Sequence, residues 1–344
     1  MSVILPIFNG ANGSLEKCLI SVVNQSYSNI EIIALNDASS DNSHELAKNI
    51  LLNVENARLI NHTQNMGLAA TINHGLEEVS GDYILLLEQD CILSNPKVIE
   101  QSINFLQEHL EIDVLIGTQL WNPDGLNFFQ RFIEFRLGHL ESRTDTDFYD
   151  ETLTENKCDI FRKKVFDITG KFSERFSFAG EDHEFSLNAY DHKVKMVKSN
   201  RLSYYNSLDG EKDLISIARK EYNYGKSMPM LFLSSYLRVN LKRTGSEFLR
   251  RKILNRAAII TYVAGAVLSA GFSILLKQPL FLLITAGFVV ARFVQVRLNL
   301  SRMRNNLNEY TPSYLIFFFT LFYDVVYYWG AFVGLIIYAI KHKV

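Results

Sequence analysis

The sequence predicts an α/β fold, a mostly parallel sheet with helices on both faces, followed by an α-helical membrane domain. Three observations carry this prediction. Strand-like and helix-like segments alternate through the first 120 residues, polar clusters follow the strand candidates, and residues 253–340 contain three long apolar runs. A chain of 344 residues is long enough for about two domains.

The strand candidates lie at 3–8, 30–36, 57–61 and 83–87, and apolar residues at helical spacing occupy 14–25. Alternation of this kind is typical of a parallel sheet that is covered by helices on both faces. In such sheets, ligands bind beyond the carboxyl ends of the strands. Polar residues at these ends are therefore the first candidates for a functional site.

Three polar clusters follow successive strands. Asn9 follows the first strand, the sequence NDASSD at 36–41 follows the second, and Glu88-Gln89-Asp90 follows the strand at 83–87. A single cluster of this type is explained by turn formation, but three of them favour a binding site. Paired carboxylates suit Mg²⁺ or Mn²⁺, which keep coordination positions for phosphate oxygens.

A fourth cluster, at 180–187, contains Glu181, Asp182, His183 and Glu184. Acidic residues in a first helical turn are favoured by the helix dipole, which explains the cluster without any function. The functional interpretation is a general base at a helix start that faces the same cleft.

The overall composition averages over two unlike parts, a polar first two thirds of the chain and an apolar last third. The net charge is −2, 48% of the residues are apolar, and the mean hydropathy is +0.02. Disordered and fibrous proteins are excluded, and the charge is not that of a general nucleic-acid binder. Cys18, Cys91 and Cys158 lie far apart, so buried reduced thiols are expected rather than disulfides or a zinc site.

The apolar runs at 257–276, 279–296 and 314–340 are each long enough to cross a bilayer. Buried helices of a large soluble domain are the alternative, but these runs lack a polar face. The sequence therefore predicts about three transmembrane helices within a membrane domain at 253–344. A fourth, re-entrant segment at 228–239 is left open. An interfacial helix is favoured there, because these 12 apolar-rich residues are too short to span a bilayer.

Basic residues predict the orientation. They are concentrated before the first span and in the loop at 297–313, which places both on the cytoplasmic side. The N-terminus carries no signal-peptide pattern, which agrees with a cytoplasmic domain at 1–211. The basic, amphipathic segment at 212–252 is expected at the lipid surface. We expect a multi-pass protein of the cell membrane, with a homo-oligomer left open.

Two charged residues interrupt the spans. Asp324 and Arg292 lie at membrane depth, where charge is costly and often functional, although pairing between them explains both equally well. Arg219 and Lys226, near the start of the interfacial segment, are further candidates for contact with the membrane or the acceptor.

The order of the motifs resembles the family-2 glycosyltransferases of the GT-A fold. The resemblance covers roughly residues 2–200, and it includes similarity to rhamnosyltransferase-like and polyprenyl-linked members, which often carry C-terminal spans. It is carried by Pro6 to Asn9, by the NDASSD sequence, by Asn65-Met66-Gly67 followed by Gly81-Asp82-Tyr83, by Glu88-Gln89-Asp90 and by Glu181-Asp182.

This resemblance implies a hexosyltransferase-like, inverting reaction and a role for each matched residue. Asp182 would be the general base, with Glu181 as its neighbour. Asp90, with Glu88 near it, would reach the divalent cation (Mg²⁺ or Mn²⁺) that bridges the donor diphosphate. The nucleotide of the donor would be bound by Pro6, Phe8, Asn9, Asp37, Asn65 and Gly67.

The sequence departs from the family pattern at several positions. Asn36 and Glu88 replace two acidic residues of the motifs, Cys91 stands where another Asp is common, and Tyr204-Tyr205-Asn206 stands where a metal-binding His often lies. These departures leave metal coordination open. The Gln-x-x-Arg-Trp signature of processive synthases does not follow Glu181-Asp182, so coupled polymerisation is not expected.

The chemistry of the acid pair favours one acceptor class. A polyprenyl phosphate is ionised at pH 7, whereas a sugar hydroxyl is activated by a general base. The expected reaction is therefore transfer from a nucleotide-sugar to a hydroxyl of a lipid-linked glycan, of the polyprenyl or dolichyl diphosphate class. The alternatives are a polyprenyl-phosphate glycosyltransferase that makes a lipid monophosphate sugar, and a pseudoenzyme that binds nucleotide-sugar.

Overall fold

The computed structural model describes residues 1–120, 126–137, 147–176, 179–231 and 313–342, together with 269, 271, 273–277, 283, 284, 286, 287 and 290. The chain divides into two compact units, Met1–Asp213 and Leu214–Val344.

Nine strands and seven helices build the described part of the first unit. The strands are β1 Ser2–Ile7, β2 Glu31–Asn36, β3 Ala57–Asn61, β4 Tyr83–Leu87, β5 Cys91–Leu93, β6 Val114–Gln119, β7 Phe148–Asp150, β8 Cys158–Arg162 and β9 Met196–Asn206. The helices are α1 Leu15–Val23, α2 Ser43–Leu51, α3 Leu68–Glu78, α4 Val98–Glu108, α5 Phe128–Leu137, α6 Lys164–Thr169 and α7 Glu181–Asp191. A 3₁₀ turn at Asp209–Glu211 follows β9.

The strands form one mixed sheet in the order β3-β2-β1-β4-β8-β6-β9-β5, with β7 on β9. The four strands expected from the sequence coincide with β1 to β4, and they pair in parallel. The expectation of a mostly parallel sheet is wrong for the second half, where β8 runs antiparallel to both β4 and β6. Beyond residue 90 the regular strand–helix alternation stops, so right-handed parallel crossovers no longer set the strand direction.

Helices cover both faces of the sheet, as expected. Alternate residues of β1 point to opposite faces. Leu5 packs in one core with apolar residues of α1 and α4, whereas Ile4 packs in a second core with residues of α3 and α7. Burial on both faces explains why the central strands read as continuous apolar runs such as YILLL.

Strand direction brings distant parts of the chain to one edge of the sheet. β1, β2 and β4 are parallel, so their carboxyl ends lie at the same edge. β8 is antiparallel to β4 with Leu87 opposite Cys158, so the residues just before β8 lie beside those just after β4. The polar clusters at 36–41, 88–90 and 154–157 therefore share this edge.

In the second unit, α8 (Leu214–Leu231) packs closely against α9 (Ser313–His342). Glycines allow the approach: a Cβ atom on Gly225 would lie 1.9 Å from the Tyr327 carbonyl oxygen, and one on Gly334 would lie 2.2 Å from that of Lys226. Small residues at such contacts let two helix backbones come together, as they do in membranes.

Within the described residues, one helical stretch, Thr320–Ile340, is long and apolar enough to cross a membrane by length and composition. It falls within the predicted span at 314–340. Most of its large apolar side chains are exposed. The predicted spans at 257–276 and 279–296 lie largely outside the described residues, as does most of the segment at 228–239.

The close contact between α3 and the sheet generates a stability prediction. A Cβ atom on Gly75 would lie 2.6 Å from Ile4 Cγ2 and 3.1 Å from Leu35 Cδ1. We expect Gly75→Ala to lower the free energy of unfolding by about 1–3 kcal/mol, since overpacking outweighs the better helix propensity of alanine. Urea unfolding of the full chain measures the change.

Gly210→Ala is the matched control, because nothing lies within 4 Å of the Cβ position at Gly210. Its free energy of unfolding should stay within roughly 0.5 kcal/mol of the wild-type value. Equal effects of the two substitutions would contradict the close packing of α3 on the sheet.

Candidate active site

The loops after β1 and β2 are held together by polar side chains. The Asn9 N–H donates to Ser39 Oγ over 3.0 Å, and Asn9 Oδ1 accepts from the Ser40 N–H at 2.8 Å. Asn9 has a φ of +49°, a left-handed conformation that asparagine tolerates better than most residues. Asn9 therefore shapes the edge of the sheet through its hydrogen bonds to the neighbouring loop.

Asp41 and Ser43 hold the rest of the first loop. Asp41 Oδ2 accepts from the Ala11 N–H at 3.0 Å, and Ser43 Oγ accepts from the Gly10 N–H at 2.8 Å. Burial acts to raise the pKa of Asp41, but hydrogen bonds from Ser43 and Ala11 outweigh burial and lower the pKa. The carboxylate form is thus the one that anchors this loop.

Asp37 organises the turn that leads into α3. The buried carboxylate accepts from the backbone N–H of Met66 at 2.8 Å and from that of Gly67 at 3.0 Å. Gly67 has a φ of +86°, and Asn65 Nδ2 donates to the Asp37 carbonyl oxygen at 3.4 Å. Asp37 thus forms one hydrogen-bonded group with Asn65 and Gly67, which follow it by 28 and 30 residues.

The hydrogen bonds of Asp37 extend to two histidines, neither of which was predicted from the sequence. His62 Nδ1 lies 2.8 Å from Asp37 Oδ1, and His62 Nε2 lies 2.9 Å from His74 Nδ1, with the two rings stacked. An ionised Asp37 only accepts hydrogen bonds, so His62 donates to it through Nδ1–H. His62 and the backbone N–H groups of Met66 and Gly67 fill three of about four acceptor positions on this carboxylate.

Gln89 ties the loop after β4 to the end of β1. Its Oε1 accepts from the Phe8 N–H at 2.9 Å, and its Nε2 donates to the Phe8 carbonyl oxygen at 2.9 Å. The middle residue of the Glu88-Gln89-Asp90 sequence therefore has a structural role. Phe8, which follows β1 directly, is half-exposed at the same edge. Pro6 lies within β1, where it pairs with Leu35 of β2.

The ligand atoms of Glu88, Asp90 and Cys91 lie within 4.8 Å of one another. Carboxylate oxygens are suitable ligands for Mg²⁺ or Mn²⁺. The Cys91 thiol is not, because burial and the nearby Asp90 raise its pKa well above the ordinary value. The two carboxylates fit a divalent cation that takes its other ligands from water or phosphate.

Within the described residues, the group of candidate metal ligands formed by Glu88, Asp90 and Cys91 includes no His. Asn206 lies opposite Cys91 on β9, and its Oδ1 accepts from the Leu208 N–H at 3.0 Å. That oxygen is therefore already engaged in the turn that follows β9.

Lys157 lies beside the acidic pair, and sequence reasoning missed it. The Glu88 N–H donates to the Lys157 carbonyl oxygen at 2.8 Å, which extends the β4–β8 pairing by one residue. Burial acts to lower the pKa of Lys157, but the carboxylates of Glu88 and Asp90 outweigh burial and raise it. Only the strand register could have revealed this neighbour, since 68 residues separate Glu88 from Lys157.

The first turn of α7 carries two acids with opposite behaviour. Burial, and then repulsion from Asp182, raise the pKa of Glu181 to about 8. Burial also acts to raise the pKa of Asp182, but His183 outweighs burial and lowers it. Asp182 Oδ1 accepts from the His183 N–H at 2.7 Å and lies 2.9 Å from His183 Nδ1. At neutral pH the pair therefore has a protonated Glu181 and an ionised Asp182.

A chain of hydrogen bonds links α7 to the loop before β8. Ser186 Oγ donates to the Asp182 carbonyl oxygen at 2.7 Å and accepts from the Thr154 N–H at 3.0 Å. Asp159 Oδ2 in turn accepts from the Asn156 N–H at 3.0 Å, and burial raises the pKa of Asp159 to about 6. The loop at 154–157 thus connects the start of α7 to the edge that carries Glu88.

The remaining candidates belong to the second unit. Arg219 and Lys226 are exposed on α8, and Asp324 is buried within α9. Arg292 lies outside the described residues, so its pairing with Asp324 stays a prediction.

Residues 2–169 match the family model described as Glycosyl transferase family 2. An uncharacterized glycosyltransferase of Haemophilus influenzae is 41% identical over 111 residues, which are 32% of this chain and 44% of that protein. Glycosyltransferase GlyG of Streptococcus pneumoniae is 32% identical over 117 residues, 34% of this chain and 38% of that protein. The chain thus matches less than half the length of these relatives.

Solved structures share the fold at low identity. A mannosyltransferase from Pyrobaculum calidifontis, in complex with GDP-Man and Mn²⁺, is 14% identical, with a TM-score of 0.59 over 96% of this chain and 86% of that chain. TarS 1–349 of S. aureus, in complex with UDP-GlcNAc, is 18% identical, with a TM-score of 0.50 over 96% of this chain and 90% of that chain. The likeness to these structures shows a shared fold, and the match at residues 2–169 is to a glycosyltransferase family.

The raised pKa of Glu181 generates a prediction about stability against pH. The folded state keeps the proton on Glu181 up to about pH 8, whereas the unfolded chain releases it near pH 4.5. Between these values the unfolded state binds fewer protons, so stability falls as the pH rises, by up to about 1.4 kcal/mol per pH unit. We expect Glu181→Gln to remove this slope in unfolding experiments from pH 5 to pH 8.

Glu16→Gln is the control, because Glu16 lies in the first turn of α1 and is exposed. The pH dependence of this control should match the wild type. A Glu181→Gln protein with the full wild-type slope would show that Glu181 does not hold a proton in the folded state.

Proposed function

We propose that the protein is an inverting, membrane-bound glycosyltransferase of family 2, because residues 2–169 match the model of that family. In this proposal it transfers a sugar from a nucleotide-sugar to a hydroxyl of a lipid-linked glycan. One observation carries the proposal: the Asp37 group, the Glu88–Asp90 pair and the loop tied to Asp182 meet at one edge of the sheet. That edge is where open α/β sheets bind their ligands.

The donor nucleotide is assigned to the loops after β1 and β2 and to the turn before α3. In this assignment the pocket is made by Pro6, Phe8, Asn9, Asp37, Asn65 and Gly67. Support comes from the remaining acceptor position on the Asp37 carboxylate, which suits an N–H donor of a nucleobase. The half-exposed Phe8 ring offers an apolar face beside it.

The diphosphate of the donor is assigned to the Glu88–Asp90 side of the edge. These carboxylates would hold a divalent cation, which would neutralise phosphate charge and stabilise the leaving nucleoside diphosphate. The donor set supports Mg²⁺ or Mn²⁺, because it offers two carboxylates close together.

Asp182 is assigned as the general base. Its carboxylate accepts the proton of the acceptor hydroxyl while the hydroxyl oxygen forms a bond to the anomeric carbon of the donor sugar. The bond between that carbon and the phosphate oxygen breaks, and its electron pair leaves with the nucleoside diphosphate. Attack opposite the leaving group inverts the anomeric carbon. The lowered pKa of Asp182 supports this role, because the base must be ionised before it accepts a proton.

The presence of a candidate general base favours a hydroxyl acceptor over a polyprenyl phosphate, since a phosphate acceptor needs no base. A lipid-linked glycan is supported by the apolar stretch Thr320–Ile340 and by the basic residues before residue 257. The proposal includes a multi-pass arrangement in which the first domain lies on the cytoplasmic side of the membrane. Its domain boundaries are 1–211, 212–252 and 253–344. It also includes contact with the membrane or the acceptor by Arg219, Lys226, Arg292 or Asp324.

Substitution of the base tests the reaction. We expect Asp182→Asn to lower kcat by about 10²–10⁴-fold, because the amide cannot accept the hydroxyl proton. The donor is first chosen by thermal shift with UDP-, GDP- and dTDP-sugars in the presence of Mn²⁺, since a bound donor raises the Tm. Turnover is then measured with lipid-diphosphate-linked glycans and with bare polyprenyl phosphate as acceptors.

Asp191→Asn is the matched control, because Asp191 is the exposed last residue of the same helix. It should retain the wild-type kcat. Transfer to bare polyprenyl phosphate that is unaffected by Asp182→Asn would instead support the lipid monophosphate reaction. A folded wild type that turns over none of the donors that it binds would support the pseudoenzyme.

Cysteine labelling tests the membrane topology. The three native cysteines are fully buried, so the background with an impermeant maleimide should be low. With three spans and a cytoplasmic first domain, Lys343→Cys should be labelled in right-side-out vesicles and Lys212→Cys only in inverted ones. Labelling of both positions in the same vesicle type would contradict this topology.

A further inference from the structure

We propose that Lys157 is a donor-binding residue whose ammonium group binds the diphosphate beside the Glu88–Asp90 pair. This inference rests on the proposed function, since it assigns a further residue to the same donor site. Lys157 belongs to none of the sequence motifs, and it reaches the site only because β8 pairs with β4.

The strand register places Lys157 next to the acidic pair. Leu87 lies opposite Cys158, and the Glu88 N–H donates to the Lys157 carbonyl oxygen at 2.8 Å, so Glu88 and Lys157 are direct cross-strand neighbours. Such neighbours in an antiparallel pair project from the same face, with Cβ atoms about 4.5–5.5 Å apart. The Lys157 side chain therefore shares a face with the Glu88 carboxylate.

That face is the one covered by α7. Leu86 of β4 and Phe161 of β8 pack with Phe185 of α7 in the same core. Because side chains alternate along a strand, Glu88 and Lys157 continue this face beyond the core, at the edge of the sheet. Lys157 is thus on the side of the sheet where the first turn of α7 carries Asp182.

The charges explain what a lysine does at this position. Two carboxylates alone would bind a divalent cation tightly and repel a diphosphate. The Lys157 ammonium, which interacts electrostatically with both carboxylates, offsets part of their negative charge. It therefore weakens binding of the cation alone and favours the diphosphate, which brings two negative charges to the site.

Removal of the Lys157 charge is expected to have opposite effects on the binding of two ligands. Lys157→Gln should bind Mn²⁺ about tenfold more tightly than the wild type when no nucleotide is present. The same variant should bind UDP or GDP, whichever the wild type binds, about tenfold more weakly in the presence of chelator. Titration calorimetry with the full chain measures both affinities without any turnover.

The controls separate charge from folding. Lys157→Arg keeps the charge and should stay close to the wild type for both ligands. Lys164→Gln removes an exposed lysine just beyond the other end of β8, where it pairs with Asp113 at 2.7 Å, and should change neither affinity. If Lys157→Gln does not fold by its thermal melt, Lys157→Met, which is of similar length, takes its place.

The outcomes distinguish this inference from the proposed function. Tighter Mn²⁺ binding together with weaker nucleotide binding supports a diphosphate-binding Lys157. Wild-type affinities in the neutral variants overturn it, as does a loss of both affinities in a folded variant, which would indicate a structural role. A wild type that binds neither UDP nor GDP in the presence of Mn²⁺ would instead contradict the proposed function itself.

Discussion

The candidate site depends on the direction in which β4 meets its two neighbours. β4 is parallel to β1 and antiparallel to β8, so the end of β4, the end of β1 and the start of β8 lie at one edge. A slip of β8 by one residue along β4 would turn Lys157 to the face opposite Glu88. The apolar cores on both faces fix the register, and so the interior of the sheet determines the geometry of the polar edge.

Several polar side chains at that edge hold the backbone of a neighbouring loop in place. Asn9, Asp37, Asp41 and Gln89 each bind backbone groups of a neighbouring loop. This use of side chains rigidifies the loops, which lowers the cost of ordering them around a donor. The groups with properties suited to chemistry are fewer, and they carry charge: the Glu88–Asp90 pair, the ionised Asp182 and the ammonium of Lys157.

The sequence predicted β1 to β4, α1, the helices on both faces and the strand-end location of the polar clusters, because local periodicity and turn chemistry are readable without tertiary contacts. It could not predict the antiparallel β8, because strand direction after a long connection depends on packing. For the same reason it missed His62, His74 and Lys157, which acquire their partners only through the fold. The opposite pKa shifts of Glu181 and Asp182 likewise depend on burial and on His183, which spacing does not reveal.

The central claim is that the Glu88–Asp90 edge binds a nucleoside diphosphate together with a divalent cation. Equilibrium binding of UDP and GDP to the full chain, with Mn²⁺ and with chelator, tests it in the wild type and in Asp90→Asn. The account predicts that Mn²⁺ strengthens binding of one nucleotide at least tenfold in the wild type and that Asp90→Asn abolishes this gain. Equal nucleotide affinity with and without Mn²⁺, or an undiminished Mn²⁺ effect in Asp90→Asn, would contradict it.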